Sequence, residues 1–234
     1  MSRPLLHLIL LAGGRGMRAA AGDSTPKQFR PTGRGPLFTV ALQTFLGSDD
    51  WCPDTVTLTI PDAWRPVAEN ALEGLGIPRF FASAGASRTA STWHAVEQLR
   101  TGHEPAEGDL VAVHDAARPF ASAALLNRLC AAAAKSAGAV PGVAVHDTIV
   151  RSDGPGAVYL QRDLLRAVQT PQVFRWDIFQ EAHAHAAEND LAFTDDGGLL
   201  ASRGHDPAVV EGEPGNWKVT TDGDWERAKE ILGD

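Results

Sequence analysis

Short apolar runs of β character alternate with longer helix-like stretches through most of the chain, and that rhythm leaves few architectures open. Strand candidates lie at residues 6–11, 56–60, 79–82, 110–114 and 139–145, with helical candidates at 37–46, 64–75, 88–100 and 123–137. Strands that alternate with helices favour a mostly parallel sheet covered on both faces. With 234 residues the chain can bury a substantial core, and 44% hydrophobic with 21% charged residues is ordinary for a globular protein. The expectation is an α/β, Rossmann-like sheet with helices on both faces, forming one domain over residues 1–234, without repeats or long linkers.

The rhythm breaks once. Residues 146–161, HDTIVRSDGPGAVYLQ, hold two short β-like runs around Ser152-Asp153-Gly154-Pro155-Gly156, a hairpin signature. Inserted in an α/β domain, it predicts a projecting β-arm at about 146–162. Such arms pack against a second subunit, and twofold pairing is the commonest symmetry, so a homodimer is expected. A plain surface loop is the alternative.

Open α/β sheets bind ligands beyond the carboxyl ends of their strands, so chemistry is sought just after each strand. The first is followed by Ala12-Gly13-Gly14-Arg15-Gly16, almost without side-chain bulk, and then by Arg18 and Lys27. Glycines let backbone N–H groups approach phosphate oxygens, and three cations surround the turn. The pattern suits a polyanionic, nucleotide-like ligand. It matches neither Walker A nor GxGxxG, since Ala19 stands where a third glycine would be, and a simple strand-to-helix turn with surface arginines stays open.

Net charge −8 argues against nucleic-acid binding, making those cations a local patch on an acidic protein. Cys52 and Cys130 lack metal-ligand spacing and imply a reducing compartment, the cytoplasm. No apolar run approaches the roughly 20 residues of a membrane span, and the N-terminus lacks a signal peptide's long apolar region.

Other post-strand segments carry polar clusters. Residues 83–88 are SAGASR, with Ser91 one helical turn on; small residues at a helix start suit a base or phosphate, and Ser87 as a simple N-cap fits equally. In HDAARP, Asp115 and Arg118 could hold a ribose hydroxyl, a metal ion or a phosphate, or only each other. Asp195 and Asp196 read as an acid pair at a helix start with Thr194 as its cap, a metal pair being the alternative; Asp222 is expected to cap a final helix over 223–232, and Lys218 to lie in a β-like run, where a lysine usually belongs to a solvated face. His94, His103, His183, His185 and His205 read as surface or packing residues, and no histidine–carboxylate pair stands out.

LAGGRGMR followed by PKQF resembles a nucleotidyltransferase loop. With HDAARPF, DTI, QTPQVF, TDD and NWKVTT in the same order, residues 8–232 are similar to the 2-C-methyl-D-erythritol 4-phosphate cytidylyltransferases of bacterial isoprenoid synthesis. The resemblance implies transfer of CMP from CTP to the polyol phosphate with release of pyrophosphate. It implies Arg18, Lys27 and Lys218 as catalytic cations. Ala12, Gly13, Gly14, Gly16, Gly85, Arg88, Ser91 and Asp115 would bind the nucleotide. Asp115, Arg118, Arg162, Thr170 and Thr194 would bind the polyol phosphate, Arg162 reaching the partner subunit's site. Mg²⁺ is expected as cofactor, held mainly by CTP phosphates and by no protein metal site.

Two departures stand out: a longer stretch between Arg18 and Pro26, which leaves Arg15 or Arg18 for the loop arginine, and Gly197-Gly198 where Ala-Ser is commoner. A ribitol 5-phosphate cytidylyltransferase, a sugar-1-phosphate nucleotidyltransferase and a non-catalytic CTP-binding dimer are the other readings.

Overall fold

Strands buried on both faces make the middle of the molecule, whose residues 3–14, 25–154 and 156–233 are described by a computed structural model. Along the chain, β1 (Leu6–Leu11) precedes the short pair β2 (Pro31–Thr32) and β3 (Gly35–Pro36), then α1 (Leu37–Leu46), β4 (Thr55–Ile60), α2 (Arg65–Ala71) and β5 (Arg79–Ser83). Next come α3 (Arg88–Gly102), β6 (Leu110–Asp115), α4 (Ala123–Ala133), β7 (Gly138–Ala144), β8 (Val150–Arg151), β9 (Val158–Tyr159) and β10 (Arg166–Val168). The chain closes with β11 (Gln172–Arg175), α5 (Trp176–Glu188), α6 (Asp196–Ser202), β12 (Ala208–Glu211) and α7 (Asp222–Leu232).

The main sheet has the order β10-β7-β11-β6-β1-β4-β5, with β12 also paired to β7. β5, β4, β1 and β6 are parallel neighbours, and β12 runs parallel to β7. β11 enters antiparallel between β6 and β7, so the sheet is mixed with a parallel core. The all-buried runs of β1, β4 and β6 explain why these strands sit centrally.

Side chains alternate across the sheet with a period of two. Leu6, Leu8 and Leu10 pack on one face with Phe38, Leu42 and Phe45 of α1 and Leu125 and Leu129 of α4. Ile9, Val111 and Val113 pack on the other with Val96 and Leu99 of α3, Phe179 of α5 and Leu199 of α6. Each such side chain contributes about 1.5–3 kcal/mol by leaving water. Gly138 keeps β7 against β11, because a Cβ there would run into the Phe174 ring. α7 lies on α1 through Trp225, Ala228 and Leu232 against Leu37 and Val40.

Two expected helices are shorter than read. α2 begins after a 3₁₀ turn at Asp62–Trp64 and ends at Ala71, beyond which Gly74 and Gly76 adopt left-handed backbone. α4 stops at Ala133, where the Ser136 hydroxyl bonds the carbonyls of Ala132 and Gly138 and carries the chain into β7. Beyond β7, β8 and β9 pair antiparallel as a separate hairpin, leaving Tyr159 73% exposed.

Two caps differ from expectation by one residue. Asp195, not Thr194, caps α6 by accepting from Gly198 N–H. Thr221, not Asp222, caps α7: its hydroxyl accepts from Asp224 N–H while the Asp224 carboxylate accepts from Thr221 N–H. Those donors, the Thr221 N–H first, hold the Asp224 carboxyl well below the usual carboxylate range. Thr221→Ala should cost about 1 kcal/mol and lower the midpoint of thermal unfolding by about 2–4 °C; an unchanged circular-dichroism melt would deny the cap any energetic role.

Candidate active site

Register brings four strand ends to one edge. Leu11 of β1 is opposite both Thr59 of β4 and Asp115 of β6, and Ile60 of β4 is opposite Ser83 of β5. The segments that follow therefore open side by side. Gly13, Gly14, Pro61, Gly85 and Asp115 line a cleft of about 430 Å³. Gln28 holds the glycine turn, its Nε2 donating to the carbonyls of Ala12 at 2.7 Å and Gly14 at 2.8 Å. Ala12, expected in the nucleotide site, is buried and does not line the cleft. Close packing explains two glycines: a Cβ on Gly13 would stand 2.6 Å from the Ala84 Cβ, and one on Gly85 would stand 2.7 Å from the α3 backbone.

Ser87 and Ser91 organise the opposite wall. Ser87 caps α3 by accepting from Ala90 N–H at 3.0 Å, as the simpler reading of that segment has it. The Ser91 hydroxyl accepts from Gly85 N–H at 3.0 Å and donates to the Ser87 carbonyl at 2.9 Å. Both side chains still line the cleft.

Three cations converge on Asp115. Lys218 Nζ lies 2.7 Å from one carboxylate oxygen, Arg118 Nε 4.0 Å from the same one, and Arg88 Nε 3.8 Å from the other. Burial pushes the Asp115 carboxyl up, but Lys218 and Arg88, with Arg118, outweigh it and hold the group below its usual range. Lys218 is not in a β-strand; it sits in an irregular segment fixed by the buried Asn216 two residues earlier. Asn216 Nδ2 donates to the Thr170 carbonyl at 2.8 Å, and its own carbonyl accepts from Arg118 at 2.9 Å and Gln169 at 3.2 Å. Gln28 and Asn216 were missed among the candidate residues, although both stand inside the motifs PKQF and NWKVTT.

A relay behind Asp115 fixes its height. His114 Nε2 contacts the Arg118 carbonyl at 2.9 Å, which can only accept, so Nε2 carries the hydrogen. Nδ1 then accepts from the Thr170 hydroxyl at 3.1 Å, and that hydroxyl accepts from Asp115 N–H at 3.0 Å. Complete burial pushes the His114 imidazole down to about 4.

Thr170, Thr194, Asp195 and Gln172 line a second cavity of about 280 Å³, and Arg88 stands in the walls of both. Behind Arg88, its Nη2 lies 2.7 Å from Asp196, which His183 Nε2 contacts at 3.1 Å. Burial pushes the Asp196 carboxyl up, and Arg88 with His183 drives it well below the usual range. Histidine–carboxylate pairs therefore exist, contrary to the sequence reading. His183–Asp196 and His7–Asp109 are both buried, and none of the four lines either cavity. His183 is thus a core residue hydrogen-bonded to Asp196.

Other expected site residues lie elsewhere. Lys27 is buried outside the cleft wall, with Nζ donating to the Thr220 carbonyl at 2.6 Å and lying 3.5 Å from Asp222. Arg118 lines neither cavity, and Arg162, exposed, donates to the His146 carbonyl at 2.6 Å. Arg15, Gly16 and Arg18 lie outside the described residues.

Between pH 6.5 and about 4 the unfolded chain takes up a proton at His114 that the folded chain refuses. Acidification through that window therefore removes about 3 kcal/mol of stability at this site. Urea midpoints measured against pH should fall across that window, with a shallower slope in His114→Asn; equal slopes would show that His114 does not titrate on unfolding.

Comparison with known proteins places the chain in a family. Residues 6–234 match the family model described as 2-C-methyl-D-erythritol 4-phosphate cytidylyltransferase. The chain is 38% identical over 232 residues to a bifunctional enzyme IspD/IspF of Rhodopseudomonas palustris (strain BisB18), covering 96% of this chain and 55% of that protein. It is 39% identical over 227 residues to a Nitrobacter winogradskyi protein of the same name, again covering 96% and 55%. The chain thus spans about half the length of these relatives. The crystal structure of 2-C-methyl-D-erythritol 4-phosphate cytidylyltransferase from Thermus thermophilus superposes with a TM-score of 0.73 at 30% identity, covering 99% of each chain. The chain belongs to the 2-C-methyl-D-erythritol 4-phosphate cytidylyltransferase family.

Proposed function

We propose that the protein transfers CMP from CTP to 2-C-methyl-D-erythritol 4-phosphate. The observation that carries this reading is the pair of adjoining cavities with Arg88 in both walls, on a chain of this family. CTP lies over the Gly13-Gly14 turn, with its base toward Gly85 and Ser91. The polyol phosphate occupies the cavity lined by Thr170 and Thr194. An oxygen of its phosphate attacks the α-phosphorus of CTP as the bond to pyrophosphate breaks, forming one P–O bond and losing one. That oxygen is already ionised at neutral pH, so no general base is required. The barrier falls through alignment and through Lys218 beside the developing charge. Lys27 reaches the triphosphate once its ammonium leaves the Thr220 carbonyl, and Arg18 is the remaining catalytic cation of this reading.

Mg²⁺ fits the site as an ion carried by the nucleotide. Among the described residues no cluster of three His, Cys, Asp or Glu is placed to hold a metal, and the Asp115 carboxylate is paired with Lys218. Bound to the triphosphate, such an ion would lower its charge and so favour departure of pyrophosphate.

The hairpin at β8–β9 mediates a homodimer in this reading, supported by exposed Val158, Tyr159 and Leu164. Arg162, beyond the cavities of its own chain, then serves the partner subunit's site. A cytoplasmic setting is in keeping with two free thiols and with no helix among the described residues long and apolar enough to cross a membrane.

Pyrophosphate release with Mg²⁺ and CTP, compared between 2-C-methyl-D-erythritol 4-phosphate and ribitol 5-phosphate, tests the reaction. Strong preference for the branched substrate is expected; preference for ribitol would reassign the polyol, and release with neither would leave a CTP-binding module. Lys218→Ala, at a half-exposed position, should lower kcat at least about 100-fold with native circular dichroism retained and only a modest fall in melting temperature from the lost Asp115 partner. Near-normal turnover would remove Lys218 from the chemistry.

A further inference from the structure

The pair behind Arg88 has no part in the reaction as written, yet it is built with unusual care. Asp196 is the first residue of α6 and only 1% exposed, a costly place for a carboxylate unless an opposite charge and hydrogen bonding offset its burial. Its backbone N–H and that of Gly197 donate to Gln172 Oε1, which fixes the start of the helix. One carboxylate oxygen then faces Arg88 Nη2 and the other faces His183 Nε2. The carboxylate is ionised and can only accept, so His183 donates from Nε2. His183 Nδ1, Asp196 Oδ2 and Arg88 Nη2 are buried with no hydrogen-bond partner among the described residues, so Arg88 meets Asp196 as a charge contact at 2.7 Å and the bond from His183 is the directed one on the carboxylate. A ring held for packing alone would not need its one satisfied nitrogen aimed at this oxygen.

Arg88 has a second acid within reach. Its Nη2 is 2.7 Å from Asp196, while its Nε is 3.8 Å from Asp115, the carboxylate that holds Lys218. If Asp196 rotates, Arg88 can move toward Asp115 and compete with Lys218 for it. The guanidinium stands in both cavity walls, so that movement alters both at once.

We propose that His183 is a positioning residue, which by donating to Asp196 keeps Arg88 in the wall between the two cavities and so sets the saturation of both substrates without touching either. The inference rests on the two-substrate reading above. In His183→Leu the carboxylate loses a charge-assisted bond, and the KM values for CTP and the polyol phosphate should both rise about tenfold, with kcat within about threefold of wild type. His183→Gln, whose amide N–H can replace Nε2–H, should restore both KM values.

A readout independent of turnover separates this from the assigned reaction. The Arg88 Nε–H resonance, identified by its loss in Arg88→Lys, should shift or broaden in His183→Leu and return in His183→Gln, and a CTP titration should show weakened binding in the first variant only. Wild-type turnover tests the reaction by itself. Unchanged CTP affinity and an unchanged Arg88 signal in folded His183→Leu would overturn the inference, as would a fall in kcat with both KM values intact. So would His183→Gln behaving like His183→Leu. If His183→Leu does not fold, Asp196→Asn is read for the same resonance and CTP affinity; wild-type values there would equally overturn it.

Discussion

Parallel pairing of β1 with β4 and β6 is the constraint on which the rest depends. Once these strands are buried on both faces, their backbone groups have no water to turn to, and the ladder must be complete. Complete ladders in that register make the strands end together, with Leu11 between Thr59 and Asp115. The glycine turn, the start of α3 and the Asp115 carboxylate are then neighbours by construction. A slip of one residue would turn every Leu of β1 to the opposite face, so the core itself guards the geometry of the cleft.

The second half of the chain supplies what the parallel core lacks. Thr170 and Asn216 come from segments 46 residues apart and meet through a buried side-chain-to-backbone bond. Gln169 adds bonds to the carbonyls of Glu213 and Asn216. Lys218 therefore hangs from an irregular strap tied to the strand that carries Asp115 by way of Thr170. An isolated loop lysine would spread over many rotamers; this one starts from a fixed anchor, and its ammonium meets a fixed carboxylate.

Much of the fold is legible in the sequence because short, mostly apolar runs such as LHLILL and LVAVHD, recurring between helix-like stretches, fit inner strands of a parallel sheet. The hairpin is legible through the Gly- and Pro-rich sequence between its two short β-like runs. β11 is not, for its four residues hide inside QTPQVF and its pairing partners are distant. β12 alternates between half-buried and exposed positions, leaving little apolar signal. In the site, glycines and charged residues after strands reveal the cleft edge, whereas the placing of Lys218 in it was available only from family resemblance. Uncharged amides such as Gln28 and Asn216 leave no pattern, since their work is done on backbone carbonyls. His183 and Asp196 sit on separate helices 13 residues apart, beyond any local spacing rule. The direction of Lys27, toward Thr220, is likewise set by tertiary packing.

The convergence of Lys218, Arg88 and Arg118 on one acid has a further meaning. Without Asp115 these like charges would push one another outward, and a ligand would have to gather them at its own expense of binding energy. Asp115 acts as a resident counterion, so the gathering is completed when the chain folds. An anion entering the cleft would find Lys218 and Arg88 already gathered and would compete with Asp115 for them.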